Sequence, residues 1–245
     1  MKYLQRTIRQ LLRKAGYDVT RYRPDCRGRY PMEDMKFFLN GQNSPLILDV
    51  GAKTGQSVDS FTKAFPDAHL HSFEPSPTTY QRLRKHCSAL QRVTMWNCGV
   101  GSRPGTLPFI ENSSSTMSSF LAPSAFSWGK IERTTEVEVV TLDSFASNQG
   151  IEFVHVLKSD TQGYDLEVFK GATDLMKANK IALVYFEIIL SDMYKGLPSF
   201  DDVIRFLLQH NFSLVTFYES HFQKNLVSWT DALFINREFY QRRVH

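Results

Sequence analysis

The sequence predicts an α/β protein, a mostly parallel Rossmann-like sheet with helices on both faces, and three observations carry that expectation. Leu46-Ile47-Leu48-Asp49-Val50 runs into a turn bounded by Gly51 and Gly55, and Val58, Phe61 and Phe65 follow at helical spacing. Strand, glycine turn and helix make the first half of a nucleotide-binding βαβ unit. A second apolar run, Ala68 to Phe73, ends in Glu74-Pro75, the proline stopping the strand because it has no backbone N–H to give. Strand-like runs at 93–97, 153–157 and 181–186 then alternate with helical patterns, as parallel sheets require.

Bulk composition narrows the class. At 245 residues the chain is long for one domain and short for two; 42% hydrophobic and 22% charged residues are ordinary for a globular protein able to fold on its core alone. The formal charge of +4 and pI near 8.9 are too diffuse to argue for nucleic acid as a partner. Cys26, Cys87 and Cys98 have no metal-ligand spacing and fit a reducing compartment. No apolar run approaches the roughly 20 residues of a membrane span, and charges interrupt any signal-peptide pattern, so a cytoplasmic protein is expected.

In chain order, residues 1–16 carry Leu4, Ile8, Leu11, Leu12 and Ala15 on one face and Lys2, Arg6, Arg9, Arg13 and Lys14 largely on the other. That is a basic amphipathic helix stopped by Gly16. It is read as packed on the main domain, with peripheral membrane contact as the alternative. Residues 18–31, with Arg21, Arg23, Arg27, Arg29 and two prolines, read as an irregular connector, open to touching an acidic group of the substrate. The organisation expected is therefore residues 1–40 as helix and connector and 41–245 as the main domain. Thr106–Ile110 and Glu136–Thr141 flank a polar insert near 111–135, read as a lid or binding loop rather than a disordered segment. It carries Ser118, Phe126 and Trp128. Cys98 to Gly101 reads as a turn, and Asp143 as the N-cap of a short helix. A strand at Phe153–Leu157 leads into Asp160, and one at Ile181–Phe186 ends in Glu187. After a helix at Phe200–Gln209, strands at Phe212–Tyr218 and Ala232–Ile235 close the sheet.

The first turn is spaced Gly51-x-x-x-Gly55, unlike the Gly-x-Gly-x-x-Gly of a pyrophosphate site, and Asp49 precedes it by two residues. An acid aimed at the crevice suits a cofactor with a cationic end, such as S-adenosylmethionine. Glu74 lies 19 residues beyond Gly55, near the roughly 20-residue offset at which an acid receives ribose hydroxyls.

These residues, with Phe73-Glu74-Pro75, Thr141-Leu142-Asp143 and above all Leu157-Lys158-Ser159-Asp160-Thr161-Gln162-Gly163-Tyr164-Asp165 through Gly171-Ala172, resemble the FkbM family of class I methyltransferases. The resemblance covers about residues 46–190. It implies a seven-stranded sheet with the last strand antiparallel, and methyl transfer from S-adenosylmethionine to a hydroxyl, often of a sugar or natural product. On that resemblance Gly51, Ala52 and Gly55 hold the methionine portion, Glu74 with Pro75 the ribose, and Asn97, Cys98 and Gly99 border the adenine. Ser159 departs from the apolar residue more usual there.

Removing a hydroxyl proton needs a positioned base. Asp160 and Glu187, at the ends of neighbouring strands, are the candidates, singly as base or together around a divalent cation. Tyr164, Ser118 and Trp128 are the candidate substrate contacts, and His155, mid-strand, reads as a buried hydrogen-bonded histidine. The acceptor expected is a small molecule or glycan. A cofactor-binding module without catalysis is the rival from another class. A nucleic-acid methyltransferase is a third reading, weakened by the absence of Asn-Pro-Pro-Tyr after the fourth strand. Oligomeric state is not legible.

Overall fold

The computed structural model describes residues 2–17, 19, 23 and 26–244, with side chains within 6–242. In chain order the elements are α1 (Lys2–Lys14), α2 (Pro31–Phe38), β1 (Leu46–Val50), α3 (Gln56–Ala64), β2 (His69–Phe73), α4 (Pro77–His86), β3 (Val93–Trp96), β4 (Gly99–Val100) and β5 (Gly105–Asn112). They continue as β6 (Ile131–Val140), α5 (Leu142–Gln149), β7 (Val154–Ser159), α6 (Asp165–Lys170), α7 (Thr173–Lys177), β8 (Ile181–Ile189), α8 (Phe200–Gln209), β9 (Phe212–Gln223), β10 (Leu226–Asn236) and α9 (Arg237–Val244).

Seven strands form one sheet in the order β3-β2-β1-β7-β8-β10-β9. β1 pairs in parallel with β2 and β7, and β7 with β8. β10 runs antiparallel to both β8 and β9, so the last strand is reversed, as the family resemblance implies. Strand order turns around at β1, between β2 and β7, which is where open α/β sheets bind ligands. Both sheet faces are covered. Leu48 and Val50 join one core with Phe145, Phe169 and Leu207, while Ile47 joins the other with Met35, Val58 and Phe61. Alternation along one central strand thus feeds two cores.

Five expectations are corrected. Cys98 to Gly101 is not only a turn, because Gly99–Val100 pairs in parallel with β6 and makes a separate three-stranded sheet with β5. Thr141, not Asp143, caps α5 by accepting from the Ser144 N–H at 3.1 Å. Asp143 instead accepts from the N–H groups of Asp174 and Leu175, both at 3.0 Å, and so ties α5 to the first turn of α7. The closing strands are longer than expected, because β9 and β10 run on as a hairpin turned by Lys224 and Asn225, both at positive φ.

The expected boundary at residue 41 moves toward the N-terminus. Pro31 starts α2 at a position where its missing N–H costs nothing, and Met35 and Leu39 are buried in the α3-side core. Asp34, fully buried, accepts from the Gly28 N–H, Arg27 and the Tyr218 hydroxyl, and so stitches the connector to β9. Of the connector's arginines, Arg21 lies outside the described residues, while Arg27 pairs with Asp34 at 3.1 Å and neither it nor Arg29 lines either of the cavities at the strand ends. Helix α1 forms as predicted but does not bury its apolar face: Ile8 is 47% and Leu11 61% exposed.

Candidate active site

The first turn is shaped by what it must approach. Gly51 has φ +78, and a Cβ there would collide with the carbonyl oxygen of Asp160, so only glycine lets the β1 and β7 turns touch. The N–H groups of Gly51 and Ala52 both donate to the Phe73 carbonyl at 3.0 Å, locking the turn to β2. Lys53 follows at φ 50, a left-handed conformation that longer side chains seldom adopt. Its N–H donates to Glu74 Oε2 at 3.0 Å, while the Ser76 N–H donates to Glu74 Oε1 at 2.9 Å. Burial raises the Glu74 carboxyl to about 7 against those bonds. Each Glu74 oxygen keeps a second lone pair.

Glu74 faces a narrow cavity on the α5 side of the strand ends, lined by Gly51, Lys53, Phe73, Pro75, Cys98, Gly99, Val100, Phe109, Ser118 and Phe120 with Asp160 and Thr161. A Cβ on Gly99 would strike the Phe120 ring, so only glycine lets that ring of the insert pack directly on the β4 backbone at the cavity wall. Burial pushes the Cys98 thiol up to about 12, leaving it an uncharged wall. Thr161 Oγ1 is buried with no hydrogen-bond partner among the described residues.

Asp49 does not face this cavity. It is fully buried, receives the Ser57 hydroxyl at 2.7 Å and pairs with Lys158 Nζ at 3.0 Å. Asp49 and Lys158 are register partners on adjacent parallel strands, so the expectation that the acid points at a cationic ligand is corrected to a cross-strand ion pair beneath α3. Lys158 also donates to the Gly51 carbonyl at 2.9 Å. Burial alone lowers the Lys158 ammonium, but Asp49 and Asp160 outweigh it and the net shift is upward.

A second, roomier cavity, about 340 Å³, opens on the α3 side. Lys158, Tyr185, Glu187 and Asp231 form its floor, with Ser57, Ser60 and Phe61 of α3 and Met32 of α2 along one wall and Thr116 at the rim. Gly51, Lys53 and Asp160 line both cavities. Asp160 is gripped from each side: Lys53 Nζ donates to Oδ2 at 2.9 Å and Gln162 Nε2 to Oδ1 at 2.8 Å. Burial raises this carboxyl, Lys53 and Lys158 lower it, and the outcome is about 2. Gln162 Nε2 also donates to Glu187 Oε1 at 2.9 Å, and its orientation is set by the Tyr194 hydroxyl donating to Gln162 Oε1 at 3.0 Å. Glu187 is raised to about 8, first by burial and then by Asp160. The two acids therefore meet as predicted, but an amide nitrogen stands between them, at the position the cation reading assigns to a metal. Among the described residues no group of three or more His, Cys, Asp or Glu side chains could hold one.

The polar insert is built rather than loose. Residues between β5 and β6 include a 3-10 turn, Ser115–Met117, and Ser119 Oγ donates to the Gln162 carbonyl at 2.9 Å. Backbone bonds Ser124 N–H to Met193 O, Phe126 N–H to Asp192 O and Lys195 N–H to Ala122 O tie it to the loop after β8. It roofs both cavities, with Ser115, Ser118 and Phe120 over the first and Thr116 over the second.

Of the remaining predicted residues, Ala52 lines the second cavity. Gly55, at φ +106, precedes α3 and reaches neither cavity. Asn97 donates to the carbonyls of Glu74 and Pro75 and so braces the crevice from outside. Tyr164 packs its ring 4.9 Å from Phe120, outside the first cavity's lining. Trp128 sits 6.0 Å from Trp229, beyond both linings. His155 is the hydrogen-bonded strand residue expected, accepting from the Leu46 N–H at 3.0 Å. Ser159, the departure from the family pattern, is buried and donates to Asp165 at 2.5 Å. Lys53, Lys158, Gln162 and Tyr194 were missed. Lys53 and Gln162 are both non-glycine residues at positive φ, a strain that concentrates at functional sites but has no signature in sequence.

Comparison with known proteins identifies the family. The Methyltransferase FkbM domain family matches residues 49–214. The 2-O-methyltransferase NoeI of Sinorhizobium fredii is 26% identical over 183 residues, 66% of this chain and 74% of that protein. Methyltransferase sdnD of Sordaria araneosa is 27% identical over 163 residues, 55% of this chain and 63% of its own length. Among solved structures, an rRNA methylase from Streptococcus thermophilus aligns with TM-score 0.47 at 10% identity, covering 84% of this chain and 96% of that one. A putative methyltransferase from Streptococcus mutans, in complex with SAH, aligns with TM-score 0.42 at 10% identity over 78% and 88%. With the family matched across both strand-end turns and the reversed-strand sheet in place, the chain belongs to the FkbM family and is an S-adenosylmethionine-dependent methyltransferase.

Proposed function

We propose that the chain methylates a hydroxyl of a sugar or other small polyhydroxyl acceptor, with S-adenosylmethionine in the Glu74 cavity and the acceptor in the Glu187 cavity. The observation that carries this reading is that the two cavities share Gly51, Lys53 and Asp160, so a group held in one meets a group held in the other at that common wall. The residues suit the cofactor: Glu74 retains lone pairs for ribose hydroxyls, the apolar lining of Phe73, Pro75, Val100 and Phe109 suits a flat base, and the Asp160 carboxylate offers negative charge to the cationic end. When bound, the cofactor supplies a methyl group on a positively charged sulfur. The protein's part is to bring the acceptor oxygen into line and to take its proton.

Glu187 is the better base. Asp160, near 2 with both oxygens engaged, is a poor proton acceptor, whereas Glu187 is near 8 and has one oxygen without a protein donor. Asp160 is the fixed charge that holds Lys53 and Gln162 in place. Ser57, Ser60, Tyr185 and Asp231 around the second cavity offer hydrogen bonds rather than apolar surface, which matches a polyol. The test is incubation with isotope-labelled cofactor and a pool of saccharides and hydroxylated small molecules, with products read by mass. Methyl groups on oxygen support the reading, and methylation confined to nitrogen or carbon overturns it.

Two substitutions probe the assignments. Hydrogen bonds to a charged group are worth about 1.5–3 kcal/mol, so Glu74→Gln should weaken cofactor binding roughly 10- to 100-fold, measured by calorimetry; unchanged affinity removes the ribose role. Tyr194→Phe removes the hydroxyl that donates to Gln162 Oε1 and so loosens the amide that bridges Asp160 and Glu187. Turnover should fall about tenfold, a loss of roughly 1.4 kcal/mol, while cofactor affinity stays level.

A further inference from the structure

Helix α1 is the motif that neither cavity absorbs. At about 100° per residue, Ile8, Leu11 and Leu12 fall within an arc of about 100°, and Arg6, Arg9 and Arg13 gather in a narrower arc facing away from it. Two of the three residues of the apolar arc are turned to solvent, Ile8 47% and Leu11 61% exposed, while Leu12 is half-buried; Tyr17 beyond the helix is 66% exposed. Charge is segregated as sharply. The first 17 residues hold five basic side chains and no acid, against +4 for the whole chain, so the remainder carries a net −1.

We propose that α1 docks the enzyme on an anionic lipid bilayer, lying in the interface with Ile8 and Leu11 inserted and Arg6 and Arg9 toward the headgroups. A segregated basic helix of this kind is what binds in the plane of a membrane surface. Its 13 residues are too few to cross a bilayer, which takes about 20, and no described helix is long and apolar enough to span one. Charge complementarity selects an anionic surface, each nearby lysine or arginine strengthening attachment by a factor of about 5. A nucleic acid would satisfy the arginines but leave the apolar arc in water. The inference does not depend on the acceptor or on the catalytic assignments.

The test is cosedimentation of the full chain with vesicles of phosphatidylcholine alone or mixed equally with phosphatidylglycerol, at physiological salt. Binding is expected only to the mixed vesicles. Arg6→Gln with Arg9→Gln should weaken it roughly 25-fold, about fivefold per charge. Ile8→Glu with Leu11→Glu should abolish it, while circular dichroism and cofactor affinity stay those of the parent. Equal attachment to neutral vesicles, no attachment to either, or attachment indifferent to Ile8→Glu with Leu11→Glu overturns the proposal. So does tight binding to RNA in place of vesicles, or a dimer in light scattering that is lost in the glutamate variant while vesicle binding is absent.

Discussion

Lys158→Ala should destabilise the protein by about 3–5 kcal/mol, the usual cost of removing one partner from a buried ion pair. Asp49 is fully buried and the Lys158 side chain is 8% exposed, so truncation leaves a carboxylate with only the Ser57 and Ser72 hydroxyls for company. It also strips the Gly51 carbonyl of its 2.9 Å donor. Denaturant unfolding followed by circular dichroism measures the loss, and a change under about 1 kcal/mol, the range of exposed pairs, would show that the pair contributes nothing special. Lys158→Met with Asp49→Leu should recover much of the stability, because replacing both partners leaves no orphan charge.

The second large effect is catalytic. Glu187→Gln should lower turnover about 10²- to 10⁴-fold, the span of a lost general base, with cofactor affinity unchanged because Glu187 lies outside the first cavity's lining. In the parent enzyme, kcat/KM should rise with pH toward a plateau with an apparent pKa near 8, and that limb should vanish in the variant. The same shift has a stability consequence of definite sign. The folded state keeps a proton on Glu187 that the unfolded chain releases from 4.5 upward, so this group's contribution falls as pH rises from about 4.5 through 8. Glu187→Gln is therefore expected to be as stable as the parent at low pH and more stable at pH 8. A variant that is inactive but not stabilised would mean Glu187 is not held protonated.

The sequence carries those parts of the site that are local. The β1 turn, the acid ending β2, and Asp160 and Glu187 at neighbouring strand ends are each written within a few residues of a strand, where period and turn chemistry suffice. What failed depends on register and on contacts across the chain. Asp49 and Lys158 are 109 residues apart, and only the β1–β7 pairing makes them partners. Gln162 reads as a turn residue until β8 brings Glu187 beside it. Asp143 is a good capping residue that serves a helix other than its own. The burial of α2 was invisible because an eight-residue helix with two buried side chains has too little periodicity to stand out.

The bonds that tie the insert to the loop after β8 make the roof part of the framework rather than a free flap. Segments that gate a site are drawn from the weakly held parts of a fold, yet this roof is fastened by backbone bonds at Ala122, Ser124 and Phe126 and by Ser119 on Gln162. The insert gives Ser115, Ser118 and Phe120 to the lining of the first cavity and only Thr116 to the second, so the two cavities differ in how much of their wall is anchored through these bonds.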